Sequence, residues 1–302
     1  MNKRIYLSIF ASLLVLYATV VLLSPTDPAV LHKYSITAGS ARLLNLTVVV
    51  PIIAIWVTAF YGYTALKRYA TSVSRSTEGA PFNIIANGLL VLVMSLPLVA
   101  SASAILTYIA LRDPRLVPAT TIIRNYLNVA SAVLAFFLIG KGAEALAKLV
   151  KRKTTSLDNQ NWTVGFIIVS SLFSWLVMSR HPAASGHESI YYLPDWLVII
   201  TIVIPYLYVW YRGTMAAYCI YFYQKNVKGQ LYKRALSFCS AGIAMVIATS
   251  VFIQLLTVFT ARLNRLNLTP ILLIIYVLIC TYAIGYALIA KGAKKLKTFE
   301  EV

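Results

Sequence analysis

The sequence predicts an all-α integral membrane protein with about eight transmembrane helices, arranged as two parallel four-helix repeats. Three observations predict this class. Of the 302 residues, 60% are hydrophobic and 12% are charged, whereas about a quarter of the residues of a soluble domain are charged. Apolar stretches of about 20 residues recur along the chain, and each is long enough to cross a bilayer core. Finally, motifs of the first half return in the second half.

The individual spans follow from the apolar stretches and from the short polar connections between them. Their expected limits are 5–24, 43–66, 83–110, 125–147, 163–179, 195–222, 236–260 and 269–290. Lys3 and Arg4 precede the first apolar run, as they would in a signal peptide. The segment that follows has no small-x-small cleavage site, and the fifth span occupies the matching place in the second half, so we expect the first span to be retained.

The basic residues set the expected orientation. With the N-terminus in the cytoplasm, 18 of the 27 Lys and Arg fall in cytoplasmic segments and 8 fall outside. The positive-inside rule therefore predicts a multi-pass protein with both termini in the cytoplasm. This topology explains the net charge of +18 without a nucleic-acid partner. The basic segments could hold anionic membrane lipids, but topology is their main explanation.

A Thr-x3-Pro-x4-Trp motif occurs once in each half of the chain. It comprises Thr47, Pro51 and Trp56, and then, 154 residues later, Thr201, Pro205 and Trp210. Gly88 and Gly242 keep the same interval, while 138–143 returns as 288–293 after 150 residues. One gap of about four residues therefore aligns the halves, which we place at 1–153 and 154–302. Because each repeat has an even number of spans, both should face the same way about a pseudo-two-fold axis along the membrane normal.

The motif predicts kinks in the second and sixth spans. Proline lacks an N–H and clashes with the carbonyl four residues before it, which belongs to Thr47 for Pro51 and to Thr201 for Pro205. A carbonyl freed in lipid needs another partner, such as a hydroxyl, a water, a neighbouring helix or a ligand. The kinks either shape packing alone or line a site at the seam, which we define as the surface where the repeats meet. Trp56 and Trp210 either pack there or stack on a ligand.

Arg212 is the charged residue expected inside a span. It lies about 17 residues from the outer end of the sixth span, and its counterpart in the first half is Thr58. A charge at this depth either reaches toward inner headgroups or marks a functional site. We place Glu144 at the cytoplasmic end of its span and expect no carboxylate partner for Arg212. An anion or a lipid headgroup at the seam is then the functional alternative to a snorkelling side chain.

Catalytic, metal and cofactor sites have little support in the sequence. The three histidines fall in outer loops, so none can clamp a haem in the membrane, and no nucleotide-binding or hydrolase motif occurs. We expect no carboxylate inside the membrane, which weakens the case for proton or sodium coupling. One outer loop could support metal or phosphate-ester chemistry, but a hydrated loop explains it better. Its polar residues are Arg180, His181, His187, Glu188 and Asp195.

Three functions remain open at this stage. The first is binding or translocation of a small or amphipathic, and in part anionic, solute at the seam. The second is a non-catalytic accessory subunit that holds a membrane-protein partner or a second copy of the chain. The third is a membrane enzyme that acts on lipid headgroups through the outer loop. A role without catalysis, cofactor or metal is the preferred expectation.

Overall fold

The computed structural model describes residues 3–23, 38–74, 76–112, 117–150, 204–262 and 268–298. These residues form seven α-helices in the described part of the chain. In order they are α1 (Lys3–Leu23), α2 (Ala38–Ser72), α3 (Gly79–Arg112), α4 (Val117–Leu149), α5 (Ile204–Asn226), α6 (Gln230–Arg262) and α7 (Leu268–Thr298). The predicted fifth span, 163–179, lies outside the described residues.

Five of the described helices are long and apolar enough to cross a membrane. The candidate spans are Val49–Ser72, Gly79–Ala102, Val129–Leu149, Gln230–Phe252 and Val277–Leu296. A shorter apolar segment, Arg4–Val20, lies within α1. The helical content and these spans confirm the all-α, multi-pass membrane class. Eight crossings, the repeat and the orientation of the termini stay predictions.

Most described helices are longer than the sequence predicts. Helix α2 covers Ala38–Ser72 rather than 43–66, and α7 runs to Thr298 rather than 290. Polar residues at a helix end break no backbone hydrogen bond, so the helix continues beyond its apolar stretch. Helix α3 begins at Gly79, four residues before the predicted limit, and accommodates Pro81 in its first turn. Proline is tolerated there because the N–H it lacks would have no partner within the helix.

The prolines of the repeated motif differ in how much of their surroundings is described. Pro51 lies inside α2, which is helical from Ala38 to Ser72. Pro205 is the second described residue of α5, and Thr201 lies outside the described residues. Kinks at the two prolines therefore stay a prediction.

The chain divides into two compact units. The larger one comprises 47–93, 134–154 and 210–302, and the other comprises 1–46, 94–133 and 155–209. The larger unit contains most of α2, the first part of α3, the last part of α4, most of α5, and α6 and α7 complete. Every contact described below lies within the larger unit.

Helices α3 and α4 approach closely at two glycines. A Cβ added to Gly88 would lie 2.8 Å from the carbonyl oxygen of Ala135 and 2.7 Å from the Ile139 side chain. A Cβ added to Gly142 would lie 2.7 Å from the carbonyl oxygen of Pro81 and 2.6 Å from the Ile85 side chain. Small residues allow membrane helices to pack backbone against backbone. Gly88 and Gly142 therefore let α3 and α4 pack closely.

Helices α6 and α7 approach each other in the same manner. A Cβ on Gly242 would lie 2.6 Å from the carbonyl oxygen of Gly285 and 2.7 Å from the Ile289 side chain. A Cβ on Gly292 would lie 2.6 Å from both the carbonyl oxygen of Ala235 and the Cys239 sulfur. The α3–α4 and α6–α7 pairs therefore both have glycines at their contacts.

Candidate functional site

A buried ion pair joins α4 to α5. The Nη1 of Arg212 donates a hydrogen bond to the Oε1 of Glu144 at 2.6 Å. The Arg212 side chain is 1% exposed and the Glu144 side chain is 6% exposed. Removing two charges from water costs several kcal/mol each, and their attraction repays this cost only with good geometry. Burying this pair between α4 and α5 therefore carries a large desolvation cost.

Residues of α4 complete the surroundings of the guanidinium. The Nη2 of Arg212 lies 3.4 Å from the carbonyl oxygen of Phe137, and its Cζ lies 5.8 Å from the centroid of the Phe137 ring. A Cβ on Gly140 would lie 2.7 Å from the Arg212 Nε and 2.8 Å from Nη2. Glycine at 140 therefore leaves the space that the guanidinium fills, and the carbonyl and ring provide a further acceptor and a cation–π contact.

The expectation that Arg212 lacks a carboxylate partner is wrong. We placed Glu144 at the cytoplasmic helix end, but α4 continues to Leu149 and the carboxylate is buried against α5. The sequence does contain a signal for this pair. Under the intervals of the proposed repeat, Arg212 stands opposite Thr58 and Glu144 stands opposite Lys294. The first half thus has a threonine and a glutamate at these two positions, and the second half has an arginine and a lysine.

The counterpart positions lie on α2 and α7 and hold no buried pair of this kind. The hydroxyl of Thr58 donates to the carbonyl of Ala54 in its own helix at 2.8 Å, and Lys294 is exposed. A Cβ on Gly62 would lie 3.4 Å from the Cα of Ala290, which is ordinary van der Waals contact. Close packing at the α2–α7 contact is therefore achieved without a buried charge.

A second polar cluster involves one carboxylate and three phenols. Tyr232 donates to the Oε2 of Glu78 at 2.6 Å, and Tyr223 donates to Oε1. The hydroxyl of Tyr69 lies 3.3 Å from Oε2 and 3.2 Å from the Tyr232 oxygen. We call these four residues the Glu78 latch. It connects the α2–α3 turn to the ends of α5 and α6, and its three phenol side chains are buried.

The latch predicts a measurable loss of stability on removal of its phenols. We expect Tyr232→Phe to lower the free energy of unfolding by about 1.5–3 kcal/mol, because a hydrogen bond to a charged group is lost. Equilibrium unfolding in detergent micelles measures this change. Tyr221→Phe is the control, because Tyr221 is exposed on α5 and its replacement should change stability by less than about 0.5 kcal/mol. Equal stabilities of the two variants would contradict a supporting role for the latch.

A lysine is held by two amides near the same helix ends. The Nζ of Lys67 on α2 donates to the Oδ1 of Asn83 and, at 3.2 Å, to the Oδ1 of Asn87. Both asparagines lie on α3, so these bonds connect the two helices across the turn that contains Glu78. Neutral amide oxygens provide hydrogen bonds without neutralising the ammonium charge.

The predicted site residues lie in varied surroundings. Trp56 and Pro205 are buried, Pro51 is half-buried, and Thr47 lies within helical backbone of α2. Trp210 is half-buried, and its indole nitrogen has no hydrogen-bond partner among the described residues. Arg212 is the member with the richest polar surroundings, and its partners Gly140, Phe137 and Glu144 were not predicted. Whether the seven residues form one site stays a prediction.

The metal-binding alternative has no candidate group of ligands in the described part of the chain. Among the residues that the structure describes, no group of three His, Cys, Asp or Glu could hold a metal ion. The outer loop with Arg180, His181, His187, Glu188 and Asp195 lies outside the described residues. The Glu144–Arg212 pair is therefore the strongest candidate site that the structure describes.

Comparison with known proteins adds no relative to this description: no family model, curated protein or solved structure matches the chain.

Proposed function

We propose that the protein binds a small or amphipathic anionic solute, and moves it across the membrane, at the seam between two parallel four-helix repeats. The Glu144–Arg212 pair would be the binding element at this seam. The two prolines would let α2 and α5 bend around it. This multi-pass protein would work without a cofactor of its own.

Matching helix contacts support the repeat on which this proposal rests. Advancing Gly88 and Ile139 by the two sequence intervals gives Gly242 and Ile289, and both pairs approach with a notional Cβ 2.7 Å from the isoleucine side chain. Advancing Gly142 in the same way gives Gly292, which also faces the start of its partner helix. Unrelated helix pairs would have no reason to share glycine positions at these intervals.

The latch supports the repeat in a second way. Tyr69 and Tyr223 are 154 residues apart, and so are Glu78 and Tyr232. The contact between Tyr223 and Glu78 therefore corresponds to the contact between Tyr69 and Tyr232, and both are present. Exchanging the two halves therefore turns each of these contacts into the other. A two-fold axis through the Glu78–Tyr232 pair would produce this pattern.

The observation that carries the functional proposal is the charge difference between the two matching contacts. At α2–α7, Thr58 satisfies its hydroxyl within its own helix, and the helices pack without a buried ion. At α4–α5, the matching positions hold an arginine and a glutamate in the apolar interior. Packing therefore does not require the pair. A buried charge in a membrane helix that packing does not require is by default functional, and a guanidinium is a preferred ligand for carboxylate and phosphate groups.

Flux into liposomes tests the proposal. Purified protein is reconstituted, and uptake of chloride, inorganic phosphate, pyruvate and a short-chain alkyl sulfate is measured. We expect wild-type uptake of at least one anion and an apparent affinity about 10–100-fold weaker in Glu144→Gln/Arg212→Gln. That range corresponds to the loss of a charged hydrogen bond of about 1.5–3 kcal/mol. Thr58→Val, which alters the matching position of the other contact, is the control and should transport as wild type does.

Two results would count against the proposal, the first against its site and the second against translocation. If wild type and the neutral-pair variant take up every solute equally, the charged pair is not the site. If neither wild type nor Pro51→Ala/Pro205→Ala moves any solute, the translocation proposal fails. We expect the double proline variant to insert normally and to transport more slowly, because straightened helices would bend less readily.

Close glycine packing favours one alternative, an accessory subunit that holds a membrane-protein partner or a second copy. Such a protein needs a rigid bundle, and tight contacts such as that of Gly242 with Gly285 would provide one. Mild-detergent purification distinguishes the two roles. A single stoichiometric partner together with an absence of flux would favour the accessory role.

A further inference from the structure

We infer that an anion can occupy Arg212 only when Glu144 accepts a proton, so that the site binds one anion together with one proton. This inference rests on the proposed function, because it concerns the same pair of residues. It adds an ion coupling that the sequence did not indicate, since no carboxylate was expected inside the membrane. Glu144 is a buried carboxylate of this kind.

The charge of the ion pair limits anion binding at Arg212. Arg212 is 1% exposed and is neutralised by Glu144 at 2.6 Å. Arginine stays protonated in proteins, so an incoming anion would put two negative charges beside one positive charge in a medium of low dielectric constant. Such an excess charge costs several kcal/mol. The simplest way to remove it is to protonate the carboxylate.

The exchange balances in charge and in protons. Before binding, a guanidinium cation faces a carboxylate anion. After binding, the guanidinium faces the incoming anion, and the carboxylate has become a neutral carboxylic acid. One proton and one monovalent anion enter, so the net charge of the site is zero in both states. By linkage, the anion raises the affinity for the proton as much as the proton raises the affinity for the anion.

Among the residues that the structure describes, Glu144 is the acid that forms an ion pair with Arg212. Lys141 and Lys148, on the same helix as Glu144, are exposed. Helix α3, which packs against α4, carries no charged residue from Gly79 to Leu111.

The geometry also explains how the guanidinium could change partners. The Phe137 carbonyl and ring lie on the same helix as Glu144 and contact Arg212 beside the ion pair. Since Gly140 has no side chain, the guanidinium meets the α4 backbone directly. A small displacement along α4 would keep the carbonyl contact while the carboxylate is exchanged for an anion.

The test compares wild type, E144Q and E144Q/R212Q in detergent. Melting temperatures are measured while chloride, nitrate or inorganic phosphate replaces gluconate at constant ionic strength, at neutral and at acidic pH. In E144Q the guanidinium has lost its carboxylate, so we expect the small anions to stabilise it at both pH values. Wild type should respond only on acidification, with apparent anion affinity rising about tenfold per pH unit. The double variant, with both charges removed, should respond at neither pH.

Proton uptake gives a second readout. In weakly buffered wild type, binding of each anion should remove one proton from solution, which a pH indicator detects. In E144Q, anion binding should remove none. Infrared spectroscopy should show a protonated carboxyl band when wild type binds the anion, and this band should be absent from E144Q.

The outcomes separate the coupling from the binding site. If E144Q responds to anions and the wild-type affinity is independent of pH, the coupling is wrong and the anion site stands. If no variant responds, both the coupling and the proposed anion site are wrong. If E144Q does not fold, wild type alone decides, because anion binding without proton uptake would overturn the coupling.

Discussion

Glu144→Ala is expected to lower the free energy of unfolding by about 3–5 kcal/mol, because it leaves the buried guanidinium of Arg212 without its carboxylate. This is the largest single-residue effect that we predict in the described part of the chain. Equilibrium unfolding in detergent micelles gives the free energy. Lys294→Ala is the matched control, since it alters the corresponding position of the second half at an exposed site and should change stability by less than about 0.5 kcal/mol.

A double substitution separates the cost of an unpaired charge from the value of the pair. Glu144→Leu/Arg212→Met removes both charges and retains apolar volume. We expect it to recover most of the stability lost in Glu144→Ala, because apolar replacements of buried pairs are often neutral or stabilising. It should at the same time abolish anion uptake. A double variant as unstable as Glu144→Ala would show that the pair is needed mainly for folding, contrary to the functional proposal.

Gly142→Leu and Gly292→Leu are each expected to lower the free energy of unfolding by about 1–3 kcal/mol, the usual cost of overpacking. A Cβ at these positions would already lie 2.7 Å and 2.6 Å from backbone carbonyl oxygens of the partner helices. Backbone atoms cannot move aside as a flexible side chain can, so the helices must separate. Unfolding measurements on both variants in the same detergent compare the two contacts directly.

A control variant and the similarity of the two leucine variants decide whether the two contacts are equivalent. Gly62→Ala is the control, because its Cβ would meet Ala290 at 3.4 Å, and alanine favours a helix over glycine by about 1 kcal/mol. It should be neutral or slightly stabilising. If the repeat is present, the two leucine variants should be similarly destabilised. A large loss at Gly142 with none at Gly292 would contradict equivalent packing of the two helix pairs.

The fold class was predictable because crossing a bilayer imposes length and apolarity on every helix. The ends of the helices were harder to predict. Helix α7 continues to Thr298 because its last turns still bury Ala293 and Leu296 while lysines occupy the exposed side. A hydropathy average does not register this amphipathic pattern, so the predicted span ends at 290, before the helix does.

The candidate site was predictable in part. Arg212 is conspicuous as a charge inside an apolar stretch, and the sequence identified it on that ground. Glu144 lies near lysines at the end of an apolar stretch, where a carboxylate usually meets water, so the sequence alone does not predict its burial. Its burial depends on contact with another helix, and on the space left by Gly140, neither of which hydropathy represents.

The meeting of Glu78 with Tyr232 has an evolutionary consequence. In a symmetric homodimer of four-helix chains, a residue on the dyad faces its own copy, so a glutamate there would face a glutamate and repel it. A duplicated sequence lets the two positions diverge, so that a phenol on one side can donate to an acid on the other. If the chain arose by duplication and fusion, Glu78 and Tyr232 form a pair that two identical chains are unable to form, and Tyr232→Glu would bring two carboxylates together.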